Sequence, residues 1–182
     1  MYQFAGWEFV HSLFAESLGM GGIDMIEEPR IETCGPMDFV GVALHGNPEI
    51  TPFCNAWKLF GTVADDAGIS RIGKDIYGLQ IYHPAFPKEF ELTYLACLKK
   101  EPEMDVPIRM IMKSVPQSRY AVQKVEGGVS GIDDVLVYLY QDYIPKNGLR
   151  VAMPIDFEKY CNVQDHDSSP EDIEIWVPVV NA

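Results

Sequence analysis

The sequence predicts an α+β fold in which one β-α-β-β unit is used twice. The first observation is the order of elements, because each half of the chain holds a strand-like run, a helical stripe and two further strand-like runs. The second observation is their spacing: Phe39 and Arg119 are 80 residues apart, and so are Tyr77 and Phe157. Since the order and the spacing repeat together, we expect the two halves to fold alike.

The first unit is predicted to begin with a buried strand at 37–44. Thr51 and Pro52 then form a typical helix start, with threonine as the N-cap and proline at the first helical position. A stripe of apolar residues at helical spacing follows and ends at Gly68, which is typical of a helix C-terminus. Two strands complete the unit, at 75–83 and 90–98.

The second unit repeats this order. Its first strand is predicted at 118–125, and Ser130 and Gly131 open a helix whose first turn carries Asp133 and Asp134. Acidic residues are favoured at that end of a helix because its dipole stabilises negative charge there. Two strands again follow the helix, at 154–161 and 172–180.

Each unit alone would leave an open strand edge and an uncovered apolar sheet face, and two units side by side remove both. We therefore expect a curved antiparallel sheet with two helices on one face and a cleft between the halves, where ligand sites tend to form. The predicted domain spans 29–182, with pseudo-repeats at about 30–100 and 106–180. Residues 1–28 are predicted to form a helical appendage.

Composition and charge argue against several classes of function. The chain has 182 residues, with 27 acidic against 14 basic side chains and a formal charge of −13. Such a chain repels phosphate backbones, so we expect no direct binding of nucleic acid. Its apolar runs are too short to span a bilayer, so no membrane partner is expected. Scattered cysteines and the lack of nucleotide or metal motifs favour a reduced, cytoplasmic protein without a cofactor or metal.

Glu158 is the main candidate for a functional residue. Side chains alternate along a strand, so Asp156, Glu158 and Tyr160 are predicted to share one face. One interpretation is a carboxylate on a solvated sheet face, because glutamate is rarely buried without a partner. The other is a carboxylate in a pocket. The 9 Tyr and 3 Trp residues favour a pocket, because their polar groups need partners when they are buried.

A series of short motifs runs through the chain in a fixed order. The motifs are Pro52-Phe53 with Trp57 in the first helix, Tyr77-Gly78, Phe90-x-x-x-Tyr94, Ser118-Arg-Tyr-Ala-Val122, Glu126-Gly-Gly128, Tyr143-Ile-Pro145, Phe157-Glu-x-Tyr160 and Glu174-Ile-Trp-Val-Pro178. In order and spacing they resemble the GyrI-like small-molecule-binding family, which also supplies the effector-binding domain of AraC-type and MerR-type multidrug regulators. The resemblance covers residues 30–180.

The resemblance implies a duplicated, SOUL-like fold with a ligand cleft between the halves. In the family, the glutamate of the Glu-x-Tyr motif contacts cationic aromatic ligands, and here it falls on Glu158 with Tyr160. The resemblance also implies an aromatic wall formed by Trp57, Tyr120 and Trp176. The predicted ligand-binding set is completed by Phe60, Tyr77 and Tyr94. The sequence has no recognisable DNA-binding module, so direct control of transcription is not expected.

Three functions are compatible with these features. The first is binding of hydrophobic, often cationic, small molecules or xenobiotics. The second, which the resemblance permits, is a hydrolase acting on strained or electrophilic natural products, with Glu158 as general base and Tyr120 as proton donor. The third is an acidic interaction protein that inhibits a DNA enzyme such as gyrase, although a solvated loop also explains its acidic cluster. That cluster comprises Asp165, Asp167, Glu171, Asp172 and Glu174.

Overall fold

The computed structural model describes residues 27–164 and 172–182, so residues 1–26 of the predicted appendage lie outside the described residues. The strands are β1 (Arg30–Cys34), β2 (Met37–Gly46), β3 (Ile76–Tyr82), β4 (Leu92–Lys99), β5 (Ile111–Val115), β6 (Ser118–Val125), β7 (Leu149–Val151), β8 (Ile155–Tyr160) and β9 (Ile173–Asn181). The α-helices are α1 (Cys54–Asp66), α2 (Phe86–Glu89), α3 (Ile132–Tyr138) and α4 (Ile144–Lys146). A 3₁₀ turn at Gly128–Gly131 precedes α3, and a π turn at Leu139–Tyr143 joins α3 to α4. None of the helices in this described part is long and apolar enough to cross a bilayer.

The strands form a single antiparallel sheet. Its order is β1-β6-β9-β8-β3-β4-β2-β5, with β7 paired to β9. The two units meet where β3 pairs with β8, and there Gly78 lies opposite Glu158. The predicted duplication is confirmed, with β2, α1, β3 and β4 as the first unit and β6, the helical segment at 132–146, β8 and β9 as the second.

Three strands were not predicted from the sequence: β1, β5 and β7. β1 and β5 form the two edges of the sheet, and β7 is a three-residue strand at the end of β9. In β5, the adjacent side chains Ile111 and Met112 are both exposed. A strand whose consecutive side chains face solvent gives no period-two pattern, so hydrophobicity alone does not reveal it.

The two faces of the sheet bury different cores. On one face, α1 packs its Phe60 over β4, and α3 packs its Leu136 over β9. The opposite face is an aromatic core that includes Phe39, Tyr120 and Phe157. Phe39 is on β2 and Phe157 on β8, with β3 and β4 between them, yet their ring centroids are 6.0 Å apart. The sheet therefore curves around this aromatic core.

Two details differ from the sequence predictions. α1 begins at Cys54 rather than at Thr51, and no side chain caps its N-terminus. Thr51 instead packs against Gly46, where an added Cβ would lie 2.2 Å from the threonine Oγ1. The spacing of 80 also fails for the first strands, since Phe39 shares its core with Tyr120, 81 residues later. A shift of one residue moves a strand side chain to the other face, so the counterpart of Phe39 is Tyr120.

Candidate functional site

A cleft of about 850 Å³ opens on the helix face of the sheet. Its floor comes from β3, β4 and β8 at the seam between the units, and its walls come from α1 and from the start of α3. Much of the lining is apolar or aromatic, including Phe53, Trp57, Leu92 and Ile132. Both the volume and this lining are typical of small-molecule sites.

Glu158 lies on the floor of the cleft with 6% of its surface exposed. Its Oε2 accepts hydrogen bonds from the hydroxyls of Tyr94 at 2.7 Å and Tyr160 at 2.6 Å. Its Oε1 accepts a longer bond of 3.4 Å from Nε2 of Gln80. Trp57 donates its indole N–H to the Tyr94 hydroxyl at 3.0 Å. A chain of donors therefore runs from α1 to the carboxylate.

Aromatic rings surround these donors. The ring of Trp57 meets that of Tyr160 edge to face, with centroids 5.1 Å apart, and meets that of Tyr94 at 6.3 Å. Phe53 stacks on Tyr94 with a centroid distance of 5.5 Å. The carboxylate therefore lies in a site whose sides are ring faces and edges.

Gly78 provides the space for this arrangement. It pairs with Glu158 across the seam, and an added Cβ would lie 2.1 Å from the Tyr94 hydroxyl and 2.7 Å from Oε2 of Glu158. Any side chain here would occupy the position of the hydrogen bond between Tyr94 and Glu158. The Tyr-Gly motif of the sequence therefore has a steric role in the site.

Burial raises the pKa of Glu158 above its ordinary value, and hydrogen bonds from Tyr160, Tyr94 and Gln80 offset part of that rise. Burial, followed by the charge of Glu158, also raises the pKa of Tyr94 and of Tyr160, so both hydroxyls remain donors at neutral pH. The ion pairs among the described residues involve other carboxylates. In this part of the chain, Glu158 is thus held by neutral donors without a basic partner.

A second carboxyl group, that of Asp156, is buried on the same face of β8 but does not line the cleft. Its Oδ2 accepts hydrogen bonds from Tyr82 at 3.0 Å and Tyr140 at 2.5 Å, while Oδ1 is buried without a partner in the described structure. Burial raises the pKa of Asp156 to about 7, although both tyrosine bonds lower it. The protein therefore buries two acids on adjacent positions of one strand face.

Four of the predicted ligand-binding residues lie together on the cleft: Trp57, Tyr94, Glu158 and Tyr160. Phe60 lies behind Trp57, with ring centroids 6.1 Å apart, and is fully buried in the core under α1. Its place is structural support for the wall rather than the lining itself.

The other three predicted residues, Tyr77, Tyr120 and Trp176, lie on the opposite face of the sheet. Tyr120 packs there against Trp176 at 5.6 Å and against Phe157 at 5.5 Å. Its hydroxyl is buried without a hydrogen-bond partner among the described residues. Tyr120 and Trp176 therefore do not form the wall of this cleft as predicted, because strand alternation directs their side chains into the aromatic core on the other face. For the same reason, Tyr120 does not reach Glu158 as a proton donor.

Gln80 and Arg71 are among the polar residues of the cleft that were not predicted. Gln80 lies two positions after Gly78 on β3, so strand alternation places it on the face of Glu158 and would have identified it. Arg71 lies between α1 and β3, in a segment without helical or strand periodicity, so its sequence gives no comparable signal.

The acidic cluster near the end of the chain is only partly described. Asp172 pairs with Lys124 at 2.9 Å, and Glu174 pairs with Arg30 at 2.6 Å. The other three acidic residues of the cluster lie outside the described residues. The two that are described are engaged in ion pairs within the chain.

Comparison with protein-family models matches residues 27–180 to the GyrI-like small molecule binding domain. The chain belongs to this family. The resemblance inferred from the motifs is therefore confirmed over nearly the same range. A comparison of this GyrI-like domain with curated protein sequences gives no match.

Solved structures share the fold of this GyrI-like domain at low sequence identity. SAV2435 bound to tetraphenylphosphonium has a TM-score of 0.64 and 17% identity, covering 85% of this chain and 94% of its own. The EcmrR C-terminal domain has a TM-score of 0.62 and 13% identity, covering 87% of this chain and 100% of its own. A hydrolase encoded by lin2189 from Listeria innocua has a TM-score of 0.52 and 14% identity, covering 87% and 94%. At these identities the similarity shows the fold.

Proposed function

We propose that this GyrI-like domain binds hydrophobic aromatic cations in the cleft, with Glu158 as their charge partner. One observation carries the proposal: a carboxylate is buried on the floor of an aromatic cleft and meets neutral donors only, within the described residues. A buried carboxylate without a cation is costly, and it either binds a proton or attracts a positive charge.

The two carboxylate oxygens differ in their contacts, and Oε1 is the oxygen that a ligand cation would stabilise more. Oε2 of Glu158 has two short bonds, from Tyr94 and Tyr160, whereas Oε1 has the 3.4 Å contact to Gln80. The net effect of burial and these hydrogen bonds is still a raised pKa of Glu158. A ligand cation near Oε1 would supply the stabilisation that the neutral donors do not provide.

The rings of the cleft suit the apolar part of such a ligand. Trp57, Tyr94 and Tyr160 surround the carboxylate, and each cation–π contact contributes about 0.5–2 kcal/mol. The formal charge of −13 raises the local concentration of cations around the protein. Family membership and the tetraphenylphosphonium complex of a structural neighbour agree with this ligand class.

Calorimetric titration of tetraphenylphosphonium against wild type and Glu158→Gln tests the proposal. The amide keeps the shape of the side chain but removes its charge, so we expect affinity to fall by about 10- to 100-fold, equivalent to about 1.5–3 kcal/mol. Glu91→Gln is the matched control, because Glu91 is an exposed glutamate paired with His45 and does not line the cleft. Equal affinity of wild type and Glu158→Gln would reject the assignment.

A second candidate function, hydrolysis of electrophilic molecules, is favoured by the two hydroxyls beside Glu158. A carboxylate with a raised pKa can act as general base on water, and Tyr94 or Tyr160, rather than Tyr120, is placed to donate a proton. Incubation with a panel of strained-ring and ester electrophiles, followed by mass spectrometry, tests this function. Turnover that disappears in Glu158→Gln supports it, and unchanged substrates across the panel count against it.

A further inference from the structure

A basic side chain lies on the wall of the same cleft as Glu158. Arg71 is in the connection between α1 and β3, and 13% of its side chain is exposed. Backbone hydrogen bonds hold this connection, from Lys74 N–H to the Arg71 carbonyl at 3.2 Å and from Gly73 N–H to the Val163 carbonyl at 2.8 Å. The fold therefore keeps the guanidinium at the cleft.

The guanidinium of Arg71 has more N–H donors than the described residues around it supply acceptors. Of its five N–H groups, one binds Asp65, from Nη2 to Oδ1 at 2.8 Å, and Nε is buried without a partner in the described parts of the chain. Asp65 is 62% exposed, so water screens its charge. Arg71 therefore retains a positive charge and unused donors at the edge of the cleft.

Helix α1 leaves room for this guanidinium. Gly61 lines the cleft, and a Cβ added there would lie 2.8 Å from Nη1 of Arg71. Glycine inside a helix is less favourable than alanine, so this position gives up helix stability for the close approach of an arginine. The charge of the lining is mixed overall, since Lys58 and Asp133 also belong to it.

We propose that Arg71 determines specificity by binding a carboxylate, and that the preferred ligands are dipolar aromatic molecules whose cationic part lies against Glu158. This inference rests on the proposed function. A ligand with only a positive charge would displace water from Arg71 and leave its donors unpaired, which is unfavourable. A carboxylate instead matches the planar guanidinium with charge-assisted hydrogen bonds.

Two dyes that share a cationic xanthene ring test this inference. Rhodamine B carries a free carboxylate, and its ethyl ester does not. Fluorescence anisotropy gives Kd for each dye, and the readout is the Kd of the ester divided by that of rhodamine B. We expect Arg71→Gln to lower this ratio by about 10-fold or more, through weaker binding of rhodamine B. Arg109→Gln is the control, because Arg109 pairs with Asp66 outside the cleft and should leave the ratio unchanged.

A second variant keeps Arg71 intact. Asp65→Asn removes the competing negative charge, so the ratio should rise, and thermal unfolding confirms that each variant is folded. A ratio that changes in neither Arg71→Gln nor Asp65→Asn overturns the inference. If wild type binds both dyes and neither substitution changes the ratio, the inference about Arg71 fails but the proposed function does not. If wild type binds neither dye, the proposed function fails with it.

Discussion

The buried carboxyl group of Asp156 leads to a quantitative prediction about stability and pH. Its Oδ2 accepts hydrogen bonds from Tyr82 and Tyr140, and its Oδ1 has no partner among the described residues. Burial raises its pKa from 3.8 to about 7. The substitution Asp156→Asn removes this ionisation while keeping an oxygen for the tyrosine hydroxyls.

The direction of the effect follows from proton binding. Between about pH 4 and 7, folded protein holds a proton at Asp156 that unfolded protein has released, so the free energy of unfolding falls as pH rises. A difference of about 3 pKa units, at about 1.36 kcal/mol each, gives about 4 kcal/mol. This stability is fully present below about pH 4 and is lost above about pH 7.

Urea unfolding of wild type and Asp156→Asn across about pH 4–8 measures the effect. The other carboxylates titrate in both proteins, so the difference between them isolates Asp156. Relative to wild type, the variant should gain up to about 4 kcal/mol between the two ends of this range. Asp66→Asn, an exposed carboxylate paired with Arg109, is the control. If both variants differ from wild type by an amount that does not change with pH, Asp156 does not have a raised pKa in the folded protein.

Three further predictions concern the floor and wall of the cleft. Gly78→Ala should lower the free energy of unfolding by about 1–3 kcal/mol and weaken tetraphenylphosphonium binding, because the alanine Cβ displaces the Tyr94 hydroxyl. A variant with the stability and affinity of wild type would disprove this. Tyr94→Phe should raise the pKa of Glu158 further, since the carboxylate loses one hydrogen-bond donor. NMR titration of labelled glutamate measures this pKa, and an unchanged value would contradict the prediction. Phe60→Ala should cost about 3–5 kcal/mol in urea unfolding, and a cost below about 1 kcal/mol would contradict its burial under α1.

The fold was largely predictable because the sequence carries local signals for it. Alternation marks the central strands, and glycine and proline mark the turns, so the β-α-β-β order and its duplication appear without coordinates. The edge strands β1 and β5 were not predicted, since edge strands with exposed side chains lack that alternation. The curvature of the sheet arises from packing of residues distant in sequence, such as Phe39 with Phe157, and no local pattern encodes it.

The site was predictable in part for the same reason. Alternation groups Glu158 with Tyr160, and Trp57 and Tyr94, which the predicted ligand-binding set also contained, line the same cleft. Alternation does not say which face of the sheet the helices cover. The family resemblance implied that Tyr120 and Trp176 belong to the wall, but the curved sheet encloses them on its other face. The face of an aromatic strand residue is thus harder to predict than its burial.

The number of protons released on binding shows whether Glu158 is the charge partner of the ligand cation. Tetraphenylphosphonium has no titratable group, so any proton released comes from the protein. A cation beside Glu158 lowers the pKa of that carboxyl, and calorimetry in buffers of different ionisation enthalpy across about pH 4–8 measures the protons released. We expect wild type to release up to one proton on binding and Glu158→Gln to release none. The same release by both proteins would contradict this expectation.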